Sequence, residues 1–210
     1  MEEFLWTWLP ETVRFDPVHM VNNGQFGQQQ IRYGSPFWVF EMSLSNRQEA
    51  ERREIATILN NAGGVGVFGV YDPRVPVPGR YGDMRGQWDE IEALVIPALT
   101  VQSVSVSNSA ILVQGQDGDS IMKDDPLEFT IDGRRHYYRA ARDLDLDGTP
   151  QSLDVNLRPR VDVPTTSTAI NRKFPRQRFV LASNQVPMVT NVNRLTDLNI
   201  QGTEFYGTIT

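Results

Sequence analysis

The chain has 210 residues, 40% hydrophobic and 22% charged, the composition of an ordinary globular protein with one large β domain or two smaller ones. Its formal charge of −6 makes a non-specific grip on nucleic-acid phosphates, which needs a basic face, an unexpected function. The absence of cysteine excludes disulfides, thiolate metal sites and a cysteine nucleophile, and 13 prolines with 16 glycines favour turns and sheet over long helices.

The N-terminus carries Glu2 and Glu3 where a secretory signal would be basic, so the chain reads as made and kept in the cytoplasm unless another system carries it out. Phe4, Trp6 and Trp8 then fall on one side of an extended arm that Pro10 ends. Such an arm closes either its own core or a neighbour's. Strands are predicted over 12–22 and 28–44, the second interrupted at Gly34-Ser35-Pro36. In its resumed part Trp38, Phe40 and Met42 share one face and Phe37, Val39 and Glu41 the other, so Trp38 and Phe40 are core residues.

One helix is predicted over about 46–62. Ser45 or Asn46 would cap it, Glu49 suits its first turn, and Ile55, Ile58, Leu59 and Ala62 recur at helical spacing up to Gly63-Gly64. A strand at 65–71 then runs into a segment from Asp72 to Gly82 with prolines at 73, 76 and 78, which cannot join a central ladder. This ordered loop is either functional or a surface crossover. Residues 93–116 carry no charge, but Pro97 and several polar side chains argue for strands over a membrane span; strands are predicted at 91–97, 101–106 and 110–113.

From Gly118 to Leu157 short alternating runs, among them Leu127, Phe129 and Ile131, are punctuated by Asp132-Gly133 and Asp147-Gly148. Asp-Gly supplies the positive φ of a two-residue hairpin loop, so two antiparallel hairpins are predicted. A strand follows over 178–182, and the polar segment 183–210 reads as an extended tail ordered by packing against another subunit. The expected fold is mainly β: an antiparallel sandwich or split barrel with one packed helix. A sub-barrel within about 99–160 is one arrangement of its second half.

Chemistry is thin. His19 and His136 are the only histidines and read as partly exposed strand residues, and no phosphate-binding glycine pattern is present. Asp143, Asp145, Asp147 and Gly148, with Asp154 at the twelfth place, fit part of a calcium loop. The competing reading is a plain strand whose acids face water, because Pro150 interrupts the loop and neither flank is helical. No catalytic, cofactor-binding or metal residue is assigned. Trp6, Trp8, Tyr81 and Trp88 would be the stacking platforms of a glycan-binding module, or else core or interface residues. A hydrolase would need a carboxylate pair held across a cleft.

Gln28, Gly34, Trp38 and Glu41 at their spacing, the Arg-rich helical segment, the run from Gly63 to Pro73 and Pro78-Gly79 together resemble the distal tail proteins of long, non-contractile-tailed bacteriophages. The second half is similar too, with Gly133, Tyr137-Tyr138, Asp147-Gly148, Leu157-Arg158-Pro159-Arg160, Pro175 and Phe179. The resemblance covers about residues 10–182 and implies a virion structural protein, not an enzyme and without a cofactor. Such a protein assembles as a homo-hexameric ring that joins the tail tube to the baseplate hub. Tape measure protein and then DNA pass through the channel without specific binding, and no part inserts in a membrane. A tail-tube or tube-end adaptor subunit is the nearest alternative.

Overall fold

A computed structural model of the protein describes residues 2–4, 12–23, 30–48, 50, 51, 53, 55, 57, 67–157, 159, 160, 162–164, 166–181, 188–190 and 196–205. The chain is mainly β, with 51% of residues in strands arranged in several antiparallel sheets, none closed into a barrel. The largest sheet has seven strands: β1 (Glu2–Phe4), β2 (Thr12–Asn23), β3 (Gln30–Arg47), β4 (Val67–Tyr71), β13 (Arg176–Leu181), β14 (Met188–Thr190) and β15 (Thr196–Glu204). They lie in the order β1-β4-β13-β15-β3-β2, with β14 hydrogen-bonded to β15. A four-stranded sheet, β11-β6-β5-β12, joins β5 (Leu99–Ser105), β6 (Ala110–Gly115), β11 (Gln151–Asp154) and β12 (Thr168–Ala169). Two further pairs are the hairpin β8 (Pro126–Ile131) with β9 (Arg134–Arg139), and β7 (Ser120–Ile121) with β10 (Leu144–Asp145).

Alternation sets the burial. Trp38, Phe40, Met42 and Leu44 of β3 are all buried while the residues between them are half-exposed. β3 does not break at Gly34-Ser35-Pro36. Val18 pairs with Phe37 and Met20 with Tyr33, so the three residues form a bulge on a continuous strand. The large sheet is strongly curled. Phe15 on β2 and Phe179 on β13 have β3 and β15 between them, a separation of about 14 Å in a flat sheet, yet their ring centroids are 5.4 Å apart. The β8–β9 hairpin fills the concave side, where Tyr137 meets Trp38 edge-on at 5.2 Å and Phe15 at 5.4 Å.

Several expectations are corrected. Within the polar segment 183–210, the described residues are sheet and not tail: β14 pairs with β15, and β15 is an inner strand between β13 and β3, with Leu198 and Ile200 buried. β3 continues to Arg47, so neither Ser45 nor Asn46 caps a helix. Helical residues are described only at 50, 51, 53, 55 and 57, with Ile55 buried, and Glu51 accepts the Gln48 N–H at 3.0 Å. Ile58, Leu59 and Ala62 lie outside the described residues. In place of a strand at 91–97 there is a short helix, Trp88–Ala93, followed by irregular chain up to β5. Asp89 and Glu90 in its first turn favour that helix.

Asp132-Gly133 does close the β8–β9 hairpin, with φ of 50° and 72°. Asp147-Gly148 joins no hairpin, because β10 pairs with β7 while β11 pairs with β6.

Candidate functional site

The proline-rich segment after β4 is where most of the buried charge converges. Its first residue, Asp72, is 1% exposed. Arg74 reaches back to it as a fork, donating Nε–H at 3.0 Å and Nη2–H at 2.9 Å to the two carboxylate oxygens, and its Nη2 also donates to the Phe15 carbonyl on β2 at 3.1 Å. Arg139 of β9 donates to the same carboxylate and lies over the Trp38 ring at 5.3 Å. One carboxylate thus ties β4, β2 and β9 together where the curled sheet folds back on itself.

The far end of the segment is fixed in the same way. The Gly79 N–H donates to Asp125 at 2.7 Å, and Asp125 also accepts the Met122 N–H at 2.9 Å. Burial pushes the Asp125 carboxyl above the ordinary carboxylate range, against the pull of those two donors. Arg80 and Arg172 both donate to the buried Asp119, and Arg172 also donates to the Ser120 carbonyl at 2.9 Å. In the middle the Phe174 N–H donates to the Pro76 carbonyl at 2.7 Å, and Pro73, Pro76, Val77 and Pro78 are buried. The segment is ordered, as expected, but it is not a surface crossover, because Pro73, Pro76 and Pro78 are packed into the core.

Two more carboxylates act alike. Glu128 accepts from Asn171 Nδ2 at 2.8 Å and the Arg176 N–H at 2.7 Å, and pairs with Arg135 at 3.1 Å. Glu204, whose carboxyl burial also raises, accepts the Trp38 N–H and Arg160 Nη2–H, each at 2.9 Å. These carboxylates accept from guanidinium and amide donors of other segments, so their chemistry here is to position segments distant in sequence.

The remaining candidates are scattered. Asp143 accepts the Lys123 N–H at 2.6 Å, Asp147 accepts from Thr149 N–H and Oγ1–H, Asp154 pairs with Arg142 at 3.0 Å, and Asp145 lies opposite Ser120 in β10. They do not converge, and among the described residues no group of three or more His, Asp or Glu is placed to hold a metal ion. His136 is not partly exposed as the sequence suggested. The hairpin turns it inward, where it stacks on Phe129 at 5.1 Å, and burial lowers its pKa to about 4. The side chain of His19 lies outside the described residues, as do Trp6 and Trp8. Trp88 spends one face on Phe174, at 5.0 Å and 20°, and meets Tyr71 edge-on; Tyr81 is half-buried beneath Arg80.

Two surface features stand out among the described residues. A groove of about 500 Å³ runs between 94–100 and 169–173, with Leu94, Ile96, Leu99 and Ile170 along it and Val95 87% exposed at its rim. The other feature is the outer edge of β2, a 12-residue strand that pairs with β3 alone among the described residues. No helix among the described residues is long and apolar enough to cross a membrane. No family model matches the chain, and no curated protein does.

Proposed function

We propose that the chain is a structural subunit of a bacteriophage tail: a distal tail protein that forms a ring joining the tail tube to the baseplate hub and enclosing the DNA channel. The observation that carries the reading is the long β2 edge. A 12-residue strand whose outer side pairs with no other strand among the described residues, with Arg74 capping its Val13 and Phe15 carbonyls, is a template for another chain along the rest of its length. Head-to-tail pairing of such an edge with a different edge of the next copy closes a ring when the rotation closes. The buried Arg–carboxylate ties suit this role, because they hold sheet, hairpin and crossover in one arrangement that a neighbour can dock on.

The number six, the tube, hub and tape measure partners, and the virion location come from the resemblance of the sequence to that family. The net charge of −6 suits a channel wall that DNA passes without sticking. Light scattering over a concentration series, followed by negative-stain imaging, tests the proposal. A closed six-fold ring supports it; a monomer at every concentration, with or without tube and hub proteins, overturns it.

A further inference from the structure

We infer that the groove between 94–100 and 169–173 is a strand-addition site. Its occupant is an extended, apolar peptide segment of another protein, carrying an acidic side chain and laid along Val95–Ala98. The inference depends neither on the β2 edge nor on a ring.

The groove lies where a ladder stops short. β12 pairs with β5 through Thr168 opposite Val101 and Ala169 opposite Thr100, and the Ile170 N–H donates to the Leu99 carbonyl at 2.8 Å. One residue further on, Asn171 gives both its main-chain groups to Glu128 of β8, donating at 2.6 Å and accepting at 3.2 Å. The two chains therefore part beyond Leu99, and the residues before Leu99 lose the neighbour that the ladder would have given them.

What is left on the β5 side is extended chain without a partner. Leu94 has φ −65° and ψ 130°, residues 94–98 contain neither turn nor bend, and Ile96 is held extended by the proline that follows it. Among the described residues the main-chain N–H and C=O groups of Val95, Ile96 and Ala98 form no hydrogen bond. Counting back from Leu99 in steps of two, Pro97 and Val95 turn their main-chain groups to the same side as the Leu99 carbonyl. Pro97 offers only an acceptor there, so the Val95 N–H is the donor that an added strand would meet. Main-chain pairing of this kind supplies affinity, and pockets for alternate side chains supply selectivity.

The side chains fit an apolar segment. Leu94 and Ile96 are half-buried against the core while Val95 between them is 87% exposed, and Leu99 and Ile170 line the same groove. Its volume of about 500 Å³ suits the side chains of a short peptide. Charge adds the acidic group. The charged side chains along the groove are Arg172 and Lys173, both cationic. Arg172 shares the buried Asp119 with Arg80, so two guanidinium groups meet one carboxylate. Lys173 donates to the Glu92 carbonyl at 2.9 Å and pairs with no carboxylate among the described residues. An acid on the incoming segment answers that excess, and a base is repelled by it.

The probe is a displayed library of random heptapeptides, selected against the full chain. Enriched peptides are expected to alternate apolar residues and to carry Asp or Glu, and synthetic copies of them to shift the amide resonances of Val95, Ile96 and Ala98. Val95→Pro removes an N–H that bonds to nothing in the fold, and Leu94 already has the conformation that a following proline requires. It is expected to keep the melting midpoint and to weaken binding about tenfold, the loss of a main-chain hydrogen bond with its acceptor left unpaired. Lys173→Gln tests the same site without touching the backbone, and should weaken binding about threefold and reduce its salt dependence.

No enriched peptide, peptides lacking the apolar and acidic pattern, or binding that neither variant weakens each overturn the inference. A fall in the scattering mass of the assembled protein on Val95→Pro also overturns it, because the occupant would then be a second copy of the chain. Loss of the ring with peptide binding intact removes the proposed function and leaves this site.

Discussion

Phe40 occupies the space that Gly202 leaves open on the adjacent strand. The two face each other across β3 and β15, and a Cβ on Gly202 would overlap the Phe40 ring and stand 2.8 Å from the Val180 carbonyl oxygen. With that space filled, Phe40 packs against Phe179 at 4.8 Å and Phe68 at 5.6 Å, bridging the middle of the curled sheet.

Gly202→Ala is therefore expected to destabilise the fold even though alanine is the smallest possible addition. Overpacking of this kind costs about 1–3 kcal/mol, which lowers the melting midpoint by ~2–4 °C per kcal/mol in a chain of this size. A thermal melt followed by far-UV circular dichroism measures it. An unchanged midpoint would mean that β15 is not seated on β3 at this register.

That pair also shows why the sequence hid part of the fold. β3 could be read directly, since Trp38, Phe40 and Met42 alternate with half-exposed residues. The β8–β9 hairpin could be read too, because Asp132-Gly133 carries its own turn geometry. β15 could not: its inward residues are Leu198, Ile200 and a glycine, too few for an alternation signal amid Asn, Gln and Thr. Its place in the sheet is set by partners some 160 residues away, among them Glu41, which accepts from Gln201 Nε2 at 2.7 Å. The ionic ties were hidden for the same reason. Asp72 meets Arg139 across 67 positions and Asp119 meets Arg172 across 53. Asp147-Gly148 misled in the opposite way, since a local turn signal says nothing about which strands it connects.

Trp38→Ala is the core deletion with the largest expected effect. The indole is 1% exposed, tilted against Phe15 at 5.6 Å and edge-on to Tyr137 at 5.2 Å, with the Arg139 guanidinium above it. Truncation of a buried tryptophan costs about 3–5 kcal/mol. Urea denaturation should show the midpoint fall with the slope unchanged; a full-length chain that keeps its midpoint would place the indole at the surface.

Asp72→Asn separates charge from shape. The amide keeps the volume of the side chain but leaves Arg74 and Arg139 facing each other without the carboxylate that both donate to. Removing one partner from a buried ionic cluster costs about 3–5 kcal/mol. Arg74→Ala should cost less, because Arg74 is more than one-third exposed and the Arg139 pair survives it. Equal losses in the two variants, measured by urea denaturation, would mean that Asp72 acts through Arg74 alone.

His136 gives the fold a specific weakness to acid. It is 3% exposed and stacked on Phe129, with Nδ1 3.3 Å from the Tyr138 hydroxyl. Burial, helped by Arg134 and opposed by Asp132, lowers its pKa from 6.5 to about 4. As the pH falls through 6.5 the unfolded chain takes up a proton that the folded chain refuses, so stability is lost between about pH 6.5 and 4 and the loss levels off below that. The full effect is about 3 kcal/mol. Asp125 and Glu204 act in the opposite sense, because burial raises their carboxyl pKa values and acid therefore favours the folded state at those two sites. A comparison isolates the histidine: the stability advantage of the unmodified chain over His136→Gln, from urea titrations at pH 7.5 and pH 4, should shrink by about 3 kcal/mol. A constant difference across that range would show that His136 takes up its proton equally in the folded and unfolded chains, and so is not held neutral by the hairpin.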